Sequence, residues 1–197
     1  MSQLLQPTRS VERARGSLIH AWLEQISWLD EQMPTDEELR KVAGQFQRPG
    51  LDVEESLRWF KQRLTIPSFR AELLSDDYRM KVAPSLFPDL SEDLSQGKID
   101  LVVQQERRIV YRTDREIVNG IVDRVILYQR DGQVVAADVI DYKTDSADDE
   151  ASIERLRELY RPQLEKYGEA MRTLYQLEDD RVVLRLGLTS VCEFCRV

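Results

Sequence analysis

Gly120-Ile121-Val122-Asp123-Arg124-Val125 and, after it, Asp141-Tyr142-Lys143-Thr144-Asp145 are the stretches whose reading decides the fold. Between them, residues 126–140 are apolar on both sides of one turn signal, Arg130-Asp131-Gly132. Two β-rich runs joined by a short Asp-Gly loop predict an antiparallel hairpin. Side chains alternate faces along a strand, so Asp141 and Lys143 share one, with α-carbons roughly 6.5–7 Å apart. The turn decides whether Asp123 joins them. A two-residue loop, Asp131-Gly132, pairs Asp123 with Ile140 and sends it to the opposite face. A three-residue loop over 130–132, with Gly132 left-handed, pairs it with Val139. Asp123 and Asp141 are then diagonal neighbours about 7–8 Å apart. Gly132 suits that bulged turn, so the three-residue loop, or an equivalent bulge, is the expectation.

Two carboxylates and a lysine on one face of a doubly apolar strand are costly, because buried charges must be paired or bound to a metal. An ion pair at a sheet edge would explain a lone Asp-x-Lys. A second acid at matching depth turns the reading toward a metal site. Hard oxygen ligands favour Mg²⁺, Mn²⁺ or Ca²⁺ over zinc.

The joint pattern, Gly120 to Val125, a hairpin, then Val139-Ile140-Asp141-Tyr142-Lys143-Thr144-Asp145, resembles the PD-(D/E)XK nucleases. It looks most like the RecB-type nuclease domain at the C-terminal end of the RecBCD and AddAB helicase–nucleases. Val122 stands where the superfamily's name has proline, which RecB-type members often lack. Further positions match in order. Gly16 and His20 fit a Gly-x-x-x-His segment on an N-terminal helix whose histidine helps bind the metal. Glu106 stands where RecB-type domains often carry a glutamate, on the strand before the first catalytic aspartate. Gln163 and Tyr167 fit a Gln-x-x-x-Tyr motif on the helix after the Asp-x-Lys strand, and Tyr160 shares their helix face. From the residues alone, His20 reads as a core histidine, Glu106 equally as a solvated edge-strand acid, and the tyrosines as sheet packing.

The resemblance implies an α/β (α+β) fold, a restriction-endonuclease-like αβββαβ core with an N-terminal helical region. One domain over residues 1–197 is expected, mainly helical over 1–98, with the catalytic sheet and helix in 99–190. It also implies metal-dependent phosphodiester hydrolysis. Mg²⁺, with Mn²⁺ as substitute, would be held by His20, Asp123, Asp141 and the Tyr142 carbonyl. Lys143 would orient or help deprotonate the attacking water, with Glu106 as a further catalytic acid. The expected substrate is DNA, as single strands or ends, contacted by Tyr160, Gln163 and Tyr167. The expected role is exonuclease rather than endonuclease action in DNA recombination or repair, with a helicase domain or subunit as candidate partner. One rival is a catalytically silent DNA-binding or complex-assembly module of the same fold; another is an enzyme acting on a different phosphoester.

Composition sets outer bounds. At 197 residues, 42% hydrophobic and 32% charged, the chain fits an ordinary globular protein able to bury about 70% of its unfolded surface. No apolar run approaches the roughly 20 residues of a membrane span, and two cysteines make no disulfide framework, so no membrane and a cytoplasmic setting are expected. Cys192-Glu193-Phe194-Cys195 supplies two of the four thiols that an iron–sulfur cluster or Cys₄ zinc site needs. Two free thiols in a tail are expected, and no cluster. The net charge of −8 argues against strong autonomous nucleic-acid binding. Basic residues nevertheless gather at Arg9, Arg13 and Arg15, at Arg58, Lys61 and Arg63, and at Arg107 and Arg108, which leaves room for a locally basic groove.

The remaining elements follow from periodicity and punctuation. Residues 1–9 read as a loose lead-in and 11–30 as a helix. Thr35-Asp36-Glu37-Glu38 is a capping box opening a helix to about Phe46, and Asp52 caps a third. A short helix follows Pro67, and 75–98 reads as an irregular connection. Residues 99–103 and 108–111 have strand composition with a polar break between. A helical pattern over 152–177 carries Pro162 as a kink or fresh start, and 182–188 is the last strand.

Overall fold

The computed structural model describes residues 6–46, 48–112 and 117–197. Residues 1–5 of the expected lead-in, and the Arg9 side chain, lie outside them.

Thirteen- and fourteen-residue strands β1 (Asp100–Arg112) and β2 (Ile117–Arg130) pair antiparallel, followed by β3 (Gln133–Lys143). A long helix, α8 (Glu150–Tyr175), returns the chain so that β4 (Val182–Leu188) lies parallel to β3. A last strand, β5 (Glu193–Arg196), closes the order β1-β2-β3-β4-β5. This is a mixed α/β architecture of the restriction-endonuclease-like kind. Among the described residues seven α-helices precede the sheet: α1 (Gln6–Leu23), α2 (Asp36–Ala43), α3 (Val53–Arg63), α4 (Pro67–Ala71) and the short α5 (Ser75–Asp77), α6 (Ala83–Leu86) and α7 (Ser91–Ser95). β3, in the middle, is buried over most of its length, as a strand covered on both faces must be. One face packs Ile126, Tyr128, Ile140 and Tyr142 against Leu18, Trp22 and Ile26 of the helical region. The other packs Val125, Leu127 and Val139 against Leu164 and Met171 of α8.

The β2–β3 turn corrects the expected loop. Arg130 pairs with Gln133, leaving only Asp131 and Gly132 in the turn, both at positive φ (51° and 77°). That is the type I′ conformation, which matches strand twist and suits Asp-Gly. Parity is restored further along. Gln129 pairs with Val134 but Tyr128 with Ala136, so Val135 is the extra residue of a bulge. From there Arg124 faces Ile140, and one step further in this register sets Asp123 directly opposite Asp141, not diagonal to it.

Other boundaries also move. β1 (Asp100–Arg112) is one continuous strand, not two, with Glu106 left-handed at φ 46° where a polar break was expected. Pro162 sits inside an unbroken α8, because its neighbours' packing on the sheet outweighs one lost hydrogen bond. Residues 75–98 are a chain of short helices including a π-turn at Tyr78–Val82, not an irregular connection. α1 ends at Leu23, so Ile26 and Trp28 enter the core from a loop. The cysteines are free, as expected, but lie in no tail: Cys192 is buried in the core and Cys195 sits on β5. The capping box of α2 and the Asp52 cap form as read.

The helical region is tied to the sheet by a buried ionic network. Arg185 of β4 donates to both oxygens of Glu72 at 2.8 Å and to Asp138 of β3. Tyr78 donates to the same Asp138 at 2.6 Å, and its oxygen lies 2.9 Å from the Tyr128 hydroxyl. Removing one member of such a network strands the others' charges in a dry site. Arg185→Ala is expected to lower unfolding free energy by about 3–5 kcal/mol in urea titration; a loss below about 1 kcal/mol would show the network to be solvated.

Candidate functional site

The site forms where the sheet opens. Beyond Arg124–Ile140 the β2–β3 ladder ends, and the next N–H, that of Tyr142, donates to the Asp123 carboxylate at 2.7 Å. Glu106 lies on the other side of Asp123. Its neighbours pair as Gln105–Arg124 and Arg107–Val122, so the same register sets Glu106 opposite Asp123. Glu106, Asp123 and Asp141 thus stand in a row across β1, β2 and β3. The carboxyl of Glu106 is pushed up by partial burial, then by the charges of Asp123 and Glu24.

α1 brings the histidine. Gly16 packs so closely on β3's end that a β-carbon there would lie 2.8 Å from Thr144 Oγ1. One turn later, His20 Nδ1 is 3.4 Å from Asp123 Oδ2. Burial disfavours the imidazolium, but the hydrogen bond and charge of Asp123 outweigh it and leave the His20 pKa raised. Arg124 fixes this approach from below. Its guanidinium donates to the carbonyls of Ile26 and Ser27 at 2.8 and 2.6 Å and lies over the Trp28 ring, anchoring the chain just after α1 to the strand that carries Asp123. Sequence reasoning quoted Arg124 and Thr144 but gave them no role. An arginine inside an apolar strand was the available signal, since such a charge must find partners.

Asp141 is almost fully buried. Its Oδ1 accepts from Gln163 Nε2 at 3.1 Å, and Lys143 Nζ touches its Oδ2. The buried Oδ2 thus has the Lys143 ammonium as its ion-pair partner. Burial first, then the charge of Asp123, raises the Asp141 pKa to about 6 despite Lys143. Lys143 Nζ also sits 4.4 Å from the centre of the Tyr160 ring, whose hydroxyl donates to Asp145. α8 presents Gln163 and Tyr167 together: Gln163 Nε2 donates to Tyr167 Oη at 2.8 Å. The Tyr167 ring lies against Gly120, where a β-carbon would come within 2.7 Å of it. The structure therefore gathers His20, Glu106, Asp123, Asp141, Lys143, Tyr160, Gln163 and Tyr167 at one end of the sheet. Tyr142 contributes its backbone there, while its ring is buried on the helical side.

The family model for the PD-(D/E)XK nuclease superfamily matches residues 2–193. The chain belongs to that superfamily. No curated protein matches it. In this PD-(D/E)XK chain no helix among the described residues is long and apolar enough to cross a membrane.

PD-(D/E)XK nucleases generally use divalent metals. Among the described residues no three His, Cys, Asp or Glu side chains converge closely enough to hold an ion. The positive charge nearest Asp141 is instead the Lys143 ammonium. The donor set still fits a hard cation: two carboxylates on adjacent strands, an imidazole beside one, and a buried carboxylate oxygen whose charge an ammonium now meets.

Proposed function

We propose that this chain is a Mg²⁺- or Mn²⁺-dependent DNA nuclease of the RecB-type branch, an exonuclease acting on single strands or ends in recombination or repair. The observation that carries the reading is that Asp123 and Asp141 stand at facing positions on neighbouring strands, just beyond the last ladder pair, with Lys143 at Asp141 and His20 at Asp123. His20, Asp123, Asp141 and the Tyr142 carbonyl are the proposed ligands. A divalent ion held there would neutralise charge on the scissile phosphate and lower the pKa of a water. Lys143, freed from Asp141, orients that water and stabilises charge developing on the phosphate oxygens. Glu106, its pKa raised, is placed to take or give a proton beside Asp123. Gln163 holds Asp141 in position, and with Tyr160 and Tyr167 forms the side of the site that the substrate strand meets. A helicase domain or subunit that feeds in the strand would suit the acidic net charge.

His20→Ala is expected to weaken Mn²⁺ binding by about tenfold or more in calorimetry, a loss of at least ~1.4 kcal/mol, without lowering the melting temperature. Unchanged Mn²⁺ affinity in a stable variant would return His20 to a packing role. The reading as a whole is tested by cleavage of labelled single- and double-stranded DNA with each metal and with EDTA.

A further inference from the structure

The candidate site opens into a groove of about 950 Å³ walled by Gly16, His20 and Tyr160 on one side. Further lining comes from Arg13 and Arg15 of α1 and from Trp59 and Arg63 of α3. Arg15 and Arg63 both lie over the ring of Trp59, at 4.9 and 4.2 Å from its centre. Arg13 lines the same groove and also a second hollow of about 600 Å³ that carries Arg48. Arg13, Arg15 and Arg63 thus line the groove, against Glu12 and Asp145 as its acids, and Arg48 lines the adjoining hollow that shares Arg13. In a chain with 36 acidic and 28 basic residues, that local excess runs against the composition. No carboxylate lies within ion-pair distance of Arg13, Arg15, Arg48 or Arg63 among the described residues. The Arg63 Nε, buried, has no hydrogen-bond partner there, and its terminal nitrogens make only long contacts with Gln62 and Ser190.

Guanidinium groups held on an aromatic face keep their edge N–H groups free, and that edge matches a phosphate. Unneutralised arginines in a concave, partly dry trough concentrate anions at its floor. A row of such groups longer than one phosphate, with an aromatic ring among them, has the make-up of a single-strand track. We infer that Arg15, Trp59 and Arg63, continued by Arg13 and Arg48, grip the sugar–phosphate backbone of a single nucleic-acid strand and lead it past His20 and Tyr160 to the acids. The direction of travel rests on the nuclease reading; the binding surface does not.

The test uses a fluorescent oligo-thymidine and a blunt duplex of equal length, in EDTA so that nothing is cut. Anisotropy is followed from low to moderate salt, alongside tryptophan emission. Trp22 and Trp28 are 0% and 4% exposed, so quenching on binding reports Trp59. Wild-type protein is expected to bind the single strand more tightly than the duplex and to be quenched by it. The double variant Arg15→Ala/Arg63→Ala should bind about tenfold or more weakly. Its salt slope should be shallower by about 1.4, since each phosphate contact on a single strand contributes roughly 0.7. Arg63→Lys keeps the charge and should keep the slope, which guards against a variant that merely misfolds. Arg181→Ala removes a positive charge at the opposite end of the sheet and should match wild type. Trp59→Phe should bind without quenching. Wild-type affinity and slope in the double variant, quenching that survives Trp59→Phe, or no strand binding by wild type would each overturn the inference. Separate cleavage assays keep the two claims apart: a chain that cuts in Mg²⁺ yet shows none of these losses keeps its nuclease reading and loses this track. A chain that binds as described but never cuts keeps the track and loses the nuclease reading.

Discussion

Lys143→Ala is expected to bind Mn²⁺ at least as tightly as wild type while its single-turnover cleavage falls by a factor on the order of 10²–10³. The side chain is only 15% exposed, wedged between Asp141 and the Tyr160 ring. A protonated lysine cannot ligate a cation, and its charge beside Asp141 opposes one. Removing it should therefore help or spare metal binding and harm only the step in which charge builds on the phosphate. If Lys143 were merely the ion-pair partner of Asp141, the variant would lose stability and cut normally per folded molecule. Thermal melts, metal titration and single-turnover rates on one preparation distinguish these outcomes. A stable Lys143→Ala protein cutting at the wild-type rate would end the catalytic assignment.

Asp141→Asn is expected to exchange function for stability. In the metal-free protein the buried Asp141 carboxyl titrates at about 6, above the ~3.9 of an unfolded chain. A carboxyl raised in this way binds its proton more tightly when folded, so its ionised form weakens the fold. That penalty is full above about pH 6 and vanishes as pH falls toward about 4. The asparagine cannot ionise and keeps the shape. In EDTA above pH 6 it should therefore gain on the order of 1–3 kcal/mol over wild type, a margin shrinking toward pH 4. Cleavage should fall to background at every pH. A variant less stable than wild type at pH 8 would mean that the Lys143 and Gln163 contacts make the carboxylate a net stabiliser.

What could be read from the sequence was set by how local its cause is. The hairpin, the caps at Thr35 and Asp52, and the shared face of Asp141 and Lys143 follow from spacings of a few residues, and all appear as read. The turn did not. Asp131-Gly132 fits a two-residue and a three-residue loop alike, and the bulge that restores parity sits at Val135, where no glycine marks it. Glu106 could be placed on a strand by resemblance, but its position opposite Asp123 depends on a β1–β2 register that no local pattern specifies. The continuity of α8 through Pro162 is likewise a tertiary result. The Arg15–Trp59–Arg63 cluster joins two helices whose approach is dictated by core packing, so only the presence of basic residues was legible.

The most direct test of the central claim is cleavage of a 5′-labelled single-stranded oligonucleotide by wild-type protein and the Asp123→Ala and Asp141→Ala variants. Each is assayed in Mg²⁺, in Mn²⁺ and in EDTA. The account predicts cutting by wild type in either metal, none in EDTA, and none by either variant in any condition. Equal cleavage by all three proteins, or no cleavage by folded wild type in both metals, would contradict it.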